Sequence, residues 1–471
     1  MASFTFRPRV FPLELAASAE GLASALSSLG SHRAPVLLDS AAGSPSEFSL
    51  LAFDPLQGAP PPTSLAELRA YWGQLAAVPG DEVPGPFAGG FLGALAYDLG
   101  VTGERLELPA EPWGFAPIAG GLYVDFIVQL AAEGTAWLVL GEDPGDGRPG
   151  VEARRARLLA ELAREPAANG ARIVGALERC TPPDEHMRRI ESVRAAIAAG
   201  EIYQANLAHR LLGRVVGPPA DLYRLLRRAN PAPYCAYLEW GGPAGGGAVL
   251  STSPELLLEF DGERARTRPI KGTAPRDADP ARDREQRDAL LGSDKDLAEL
   301  AMIVDLERND LGRVARPGSV RVEGLPTCES YARVHHLVAD VSARIRPELD
   351  AFDVLAALFP GGSITGAPKL RSMEVIAELE GEGRGFFTGS LGFVDTRGRA
   401  LFNILIRTVL WRPRPEGSSG PEGDSRAGEV SLRVGGGITW RSRAEAEDQE
   451  TLDKAAALAS VLDPTGDERP R

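Results

Sequence analysis

Residues 429–462 read EVSLRVGGGITWRSRAEAEDQETLDKAAALASVL. From Glu429 to Val434 polar and apolar residues alternate, the period of a strand. Gly435, Gly436 and Gly437 end it, and a helix is predicted from Ser442 to about Leu462, with Ser442 and Glu445 as an S-x-x-E capping box. On that helix Glu447, Glu450 and Lys454 fall at i, i+3 and i+7 and project from one face. Taken alone, the three charges read most simply as a solvated, ion-paired face. The glycine run changes that reading, because backbone N–H groups without side chains around them can approach a carboxylate ligand closely.

Upstream, strands are predicted over 389–395 and 401–411, and helices over 186–200, 294–311, 351–359 and 368–379. The stretch 412–428 is rich in Pro, Gly and Ser and reads as a disordered hairpin loop, and 466–471 as a frayed tail. In the first third, apolar stretches at 35–38, 122–130 and 136–140 mix with a helical patch at 65–75, and a Gly/Pro/Asp-rich excursion at 141–150 leads into an Arg/Ala/Glu helix. These signals divide the chain into an N-terminal α+β domain, 1–175, and a larger domain, 176–465.

The 471 residues carry 51 Lys and Arg against 65 Asp and Glu, a net charge of -14. That is the wrong sign for a nucleic-acid binder, and an anionic ligand needs a local positive site. No apolar run reaches the ~18 residues that cross a bilayer, and the start of the chain has no signal-peptide pattern. Cys180, Cys235 and Cys328 lie far apart, without a C-x-x-C pair. A cytoplasmic protein that contacts neither membrane nor nucleic acid is expected.

Four of the 51 cations are lysines, Lys271, Lys295, Lys369 and Lys454. Where arginine is the default cation, a lysine is a candidate for work that needs a removable proton. Lys271 sits in RPIKGTAPR, held between prolines, and Glu255 follows a proline in STSPE. Keeping an ordinary amine neutral at working pH costs roughly 4 kcal/mol unless burial lowers its pKa. Glu299 precedes the apolar run 300–304 and, half-buried, needs a partner. Carboxylates from two helices, Glu299 with Glu447 and Glu450, suit Mg²⁺ better than zinc. Residues 360–369, PGGSITGAPK, lack the Gly-Lys-Ser/Thr of a phosphate loop, so the helix start after Gly366 and Ala367 suits a carboxylate rather than a nucleotide. His335 and His336 are adjacent, and on a strand at most one of them lines a given pocket.

Together EIYQANL (201–207), STSPE, PIKGT, MIVDLERNDLGR, HHLV (335–338), GGSITGAPK, FNILIRT (402–408), GGGI and E-x-x-E-T-x-x-K resemble the chorismate-utilising enzymes. This family holds the component I chains of anthranilate synthase and aminodeoxychorismate synthase, and the isochorismate and salicylate synthases. The resemblance covers about 185–462. It implies an α+β fold of large antiparallel β-sheets packed face to face with helices outside. It implies a Mg²⁺ site at Glu299, Glu447 and Glu450. It also implies substrate contacts from Gly272, Thr273, Thr365, Gly366, Ala367, Arg407, Gly435, Gly436, Gly437 and Lys454.

A lysine in the PIKGT position is similar to aminodeoxychorismate synthases, whereas anthranilate synthases resemble PIAGT. On that likeness Lys271 adds to ring C2, Glu255 protonates the departing C4 hydroxyl, and ammonia then enters at C4. His336 stands where anthranilate synthases place the base for pyruvate loss. Phe387 replaces a tyrosine that faces substrate in relatives, a loss of roughly 1 kcal/mol, and Leu300 follows Glu299 where His or Asn is common. Ser40, Pro233 and Tyr234 fall in segments similar to those that form a tryptophan pocket in relatives. None of the cysteines has a glutaminase setting, so the resemblance implies ammonia delivered by a glutamine amidotransferase subunit. Two other readings stay open: an anthranilate synthase component I, and a non-catalytic chorismate or tryptophan sensor.

Overall fold

A computed structural model describes residues 4–14, 21–29, 32–40, 48–57, 61–101, 106–142, 145, 147–164, 170–241, 246–324, 326–331, 333–414 and 427–462. Apolar strands such as Val36–Asp39 and Phe126–Leu130 need cover on both faces, and the fold supplies it by stacking two sheets. Among the described residues thirteen strands form one sheet, eight a second and three a third. The pairings are antiparallel except for Phe4–Pro12 beside Leu75–Ala77.

Alternation along each strand sorts the core into layers. Val36, Leu38, Leu50, Ala236 and Val249 of the large sheet meet Leu92, Ala94, Leu391 and Phe393 of the second sheet in an inner core. Leu37, Leu51, Tyr237 and Leu250 point the other way, against the helices Ala23–Leu26, Val151–Leu162, Pro219–Ala229 and Ala444–Leu462. Leu258, Phe260 and Phe402 pack on the outer side of the second sheet with the helix Ala351–Leu358. The order is therefore helices, sheet, sheet, helices, the α+β architecture expected. Each fully buried leucine in such a layer contributes about 2 kcal/mol, which makes the scaffold rigid enough to hold a site.

Both large sheets draw strands from either side of residue 175. Val36–Asp39 pairs with Tyr234–Trp240, and Gly90–Leu95 with Ser390–Asp395. The stretch 412–428 is in part a hairpin: Thr408–Pro413 pairs with Ala427–Ile438 in a register that reaches Pro413 opposite Gly428. Residues 415–426 of that stretch, and the tail 466–471, lie outside the described residues. The last helix starts at Ala444 rather than Ser442. Spacing alone predicts a capping box with Glu445, but the Ser442 oxygen accepts from the Thr439 N–H at 3.0 Å while its hydroxyl donates to Glu447 at 2.6 Å, so it ties the preceding turn to the helix.

Candidate active site

The site is built where three elements meet the end of the large sheet. The first is the three-stranded sheet Ile270–Pro275, Val334–Val338 and Thr327–Ser330. Its register shifts between Lys271 and Thr273, where Gly272 adopts a left-handed φ of 73°. A methyl on Gly272 would lie 2.8 Å from Leu290 and 3.0 Å from Asp296, so both conformation and space call for glycine there. This bulge re-aims the strand and turns Lys271 inward. Its amine donates to the Ser363 carbonyl at 3.1 Å.

The Ser363 carbonyl belongs to the loop 360–367, which the large sheet holds down. Asn206 donates its backbone N–H to the Thr365 carbonyl at 2.8 Å, and Gly366 and Ala367 pair with Ala205 and Gln204. Thr365 itself is fully buried, its hydroxyl donating back to the Gly361 carbonyl at 3.0 Å. It braces the loop.

The glycine run forms the floor. Gly435, Gly436 and Gly437 lie opposite Ala208, Leu207 and Asn206, under the last helix. Lys454 donates to the Gly435 carbonyl at 3.2 Å, and a methyl on Gly436 would stand 3.4 Å from the Lys454 amine and 3.5 Å from Glu447. Lys454 also pairs with Glu450 at 2.8 Å. Desolvation works against the Glu450 anion, yet the lysine holds its carboxyl below the usual range.

Glu299 comes from the helix Asp294–Gly312, which Ser293 caps by accepting from Asp296 N–H. Its Oε1 is buried and accepts no hydrogen bond among the described residues, and the Lys295 ammonium stands 3.9 Å away. Burial pushes its pKa up. An orphaned carboxylate oxygen is what an oxygen-seeking cation would satisfy, so Glu299 fits a ligand of Mg²⁺. Among the described residues the three-residue cluster of metal-ligand type within 4.8 Å lies elsewhere, on the last helix and its neighbours, at His186, His209 and Asp448, and the oxygens of Glu299, Glu447 and Glu450 do not gather that closely. There Arg179 already pairs with Asp448, and His209 meets the Thr451 hydroxyl at 2.8 Å, so the cluster anchors the helix that carries Glu447 and Glu450.

Lys271 and Glu255 are the electrostatic centre. Burial lowers the lysine pKa, opposed by Glu255, Glu299 and Glu450 and helped by Lys454. Glu255 is buried, accepts from the Ile270 N–H at 3.2 Å, and is pushed up by burial. The two shifts move toward each other, toward a neutral amine and a neutral acid. Arg407 closes the far side in a left-handed conformation, φ 51°, a cost of about 1–2 kcal/mol for a side chain with a Cβ. Burial lowers its pKa, and no ion pair is recorded for its guanidinium among the described residues. His336 takes up the Thr273 hydroxyl at 3.0 Å, and burial, aided by Arg407, depresses it to about 4. It is a neutral imidazole at working pH. His335 turns to the opposite face, between Ser330 and Asp283. Phe387 is buried under the Arg384 guanidinium, 5.6 Å from its ring centre.

Pro233 and Tyr234 line a separate pocket between the two large sheets, with Leu38, Asp39, Leu391 and Asn403. Ser40 stands at its margin, its N–H on the Ser49 hydroxyl at 3.3 Å.

Two residues escaped the sequence reading although both lie in motifs quoted from it. Gln204, in EIYQANL, is fully buried with neither amide end paired among the described residues. Glu307, in MIVDLERNDLGR, is a buried carboxyl that accepts from Thr267 at 3.0 Å and is pushed up to about 8 by burial and by Glu255. Between its ordinary value and 8, the folded chain keeps a proton that the unfolded chain releases, so stability falls with rising pH across that window. Glu307→Gln keeps the Thr267 hydrogen bond and removes the titration. Thermal melts should show the variant gaining several degrees on the parent at pH 8.5 and matching it at pH 5; equal melting temperatures at both would count against a neutral Glu307.

Two sheets, a glycine floor, glutamates from two helices and a half-buried lysine beside a buried acid define an enzyme for a small anionic substrate. The profile of the chorismate binding enzyme family matches residues 47–460, and the chain belongs to that family. It is 40% identical over 380 residues to aminodeoxychorismate synthase component 1 of Klebsiella aerogenes, covering 80% of this chain and 78% of that one. It is 38% identical over 398 residues to anthranilate synthase component 1 of Streptomyces coelicolor, covering 81% and 74%. The crystal structure of anthranilate synthase component I from Streptococcus pneumoniae superposes with a TM-score of 0.72 at 27% identity, over 88% of this chain and 93% of that chain. The chain is a chorismate-utilising enzyme.

Proposed function

We propose that the chain is an aminodeoxychorismate synthase component I, converting chorismate and ammonia to 4-amino-4-deoxychorismate for para-aminobenzoate and folate synthesis. The observation that carries this is the placement of Lys271: an amine with a lowered pKa, turned into the site beside a buried acid.

In this reading Arg407, Lys454 and the backbone of Gly435, Gly436, Gly437, Gly272, Thr273, Thr365, Gly366 and Ala367 hold the substrate. Glu299, Glu447 and Glu450 would hold Mg²⁺, which when bound neutralises the ring carboxylate against this acidic wall. The Lys271 lone pair forms a bond to C2, the two ring double bonds shift, the C4–O bond breaks, and the Glu255 proton leaves with that oxygen as water. Ammonia then bonds to C4, the electrons return, and the C2–N bond breaks to restore Lys271. Glu255 takes back one proton from the added nitrogen, so chorismate and ammonia give product and water. His336, a neutral imidazole, is assigned no step.

The amine must be neutral and the acid protonated. The rate should therefore rise with pH as Lys271 deprotonates and fall as Glu255 ionises, a bell read from kcat/KM for chorismate at constant free ammonia. A profile with only one limb would contradict the pairing.

Ammonia would come from a separate glutamine amidotransferase subunit, supported by the component 1 names of the relatives and by cysteines without a catalytic setting. No described helix is long and apolar enough to cross a membrane, which supports a cytoplasmic setting. The pocket over Tyr234 would take an aromatic amino acid, supported by its largely apolar lining. Mass spectrometry of the products from chorismate, Mg²⁺ and ammonia tests the assignment. 4-Amino-4-deoxychorismate is expected; anthranilate would make the chain an anthranilate synthase, and unchanged chorismate a sensor.

A further inference from the structure

Buried polar groups are almost always paired, so an amide open at both ends among the described residues is available to a further partner. Gln204 is such an amide. It begins the strand Gln204–Val216, and its backbone is held by the Ser372 hydroxyl on its carbonyl at 2.9 Å and by pairing with Ala367. Its side chain crosses Gly437. A methyl on that glycine would lie 2.3 Å from Gln204 Nε2 and 3.6 Å from the Lys271 amine, so amide and amine flank the same glycine. No hydrogen bond fixes which end of the amide faces the lysine, and a half-turn exchanges them.

A neutral primary amine has two N–H groups and one lone pair. The Ser363 carbonyl takes one N–H of Lys271. Resting on the reading of Lys271 as the nucleophile, we propose that Gln204 is its positioning residue: the Gln204 carbonyl oxygen accepts the second N–H, so that the lone pair points at the substrate ring. The titratable neighbours of the amine, Glu255, Glu299, Glu450 and Lys454, set its proton affinity. When the N–C2 bond forms, the nitrogen becomes positive and both carbonyl dipoles stabilise it. The amide itself takes no proton at working pH, so it aims the amine without acting as a base toward water or ammonia.

The test uses the full chain with chorismate, Mg²⁺ and ammonia. Gln204→Met keeps the length and removes the acceptor; it should lower kcat at least tenfold while KM for chorismate stays within twofold. Gln204→Glu keeps the acceptor but adds a charge that holds the proton on Lys271, so its pH optimum should move up by a unit or more. A smaller loss of kcat in the methionine variant, or a loss confined to KM, overturns the proposal. Should that variant fail to fold, an unmoved optimum in Gln204→Glu overturns it instead. Lys271→Ala, measured alongside, separates the two levels: full activity there sinks the nucleophile reading, whereas a dead alanine variant beside an active Gln204→Met sinks only the role of Gln204.

Discussion

Lys271→Ala is expected to lower amination of chorismate by on the order of a thousandfold or more, because it removes the group that the proposed reaction passes through rather than one that only binds. Chorismate affinity should change little, since Arg407, Lys454 and the glycine floor are untouched. Lys271 is a local feature of the three-stranded sheet, turned inward by the Gly272 bulge, so the variant should melt with the parent. The measurement is product formation by mass spectrometry together with a chorismate binding isotherm. Undiminished 4-amino-4-deoxychorismate would rule out the covalent route, and a collapse of binding with modest loss of turnover would make Lys271 a carboxylate contact instead.

Glu255→Gln should cost about 10²–10⁴ in turnover, the usual range for losing a positioned general acid. Glutamine can still accept from the Ile270 N–H, so the local hydrogen bonding survives while the transferable proton does not. The effect should fall on expulsion of the C4 hydroxyl, and the alkaline limb of the pH profile should vanish with it. Burial raises the Glu255 pKa, so this limb belongs to a group that ionises above the ordinary carboxylate range. If the limb persists unchanged in Glu255→Gln, another group supplies the proton, and Glu307, buried and pushed up to about 8, is the next to replace.

Local periodicity made the face carrying Glu447, Glu450 and Lys454 legible, because three charges at helical spacing converge whatever the tertiary fold. The same spacing misplaced the cap: Ser442 serves Thr439 and Glu447, partners that only the folded geometry of the helix start decides. Lys271 stood out by rarity, in a chain that otherwise writes arginine. The interleaving of strands across residue 175 left no trace in composition, since a strand buried on both faces looks alike in either sheet. Gln204 and Glu307 were invisible for a similar reason. A polar residue in an apolar run announces that it needs a partner, but which partner, or none, is settled by segments 160 residues or more away in Gln204's case, where Ser372 and Gly437 enclose it. The His186, His209 and Asp448 anchor likewise joins three distant elements.

The most direct test of the account is a single-turnover reaction of the chain with chorismate and Mg²⁺ in the absence of ammonia, quenched in acid, digested and mapped by peptide mass. A covalent lysine route predicts that the peptide containing Lys271 gains the mass of chorismate less one water, and that the gain disappears when ammonia is added before the quench. An unmodified Lys271 peptide at every time point, from enzyme shown to aminate chorismate in parallel, would contradict it.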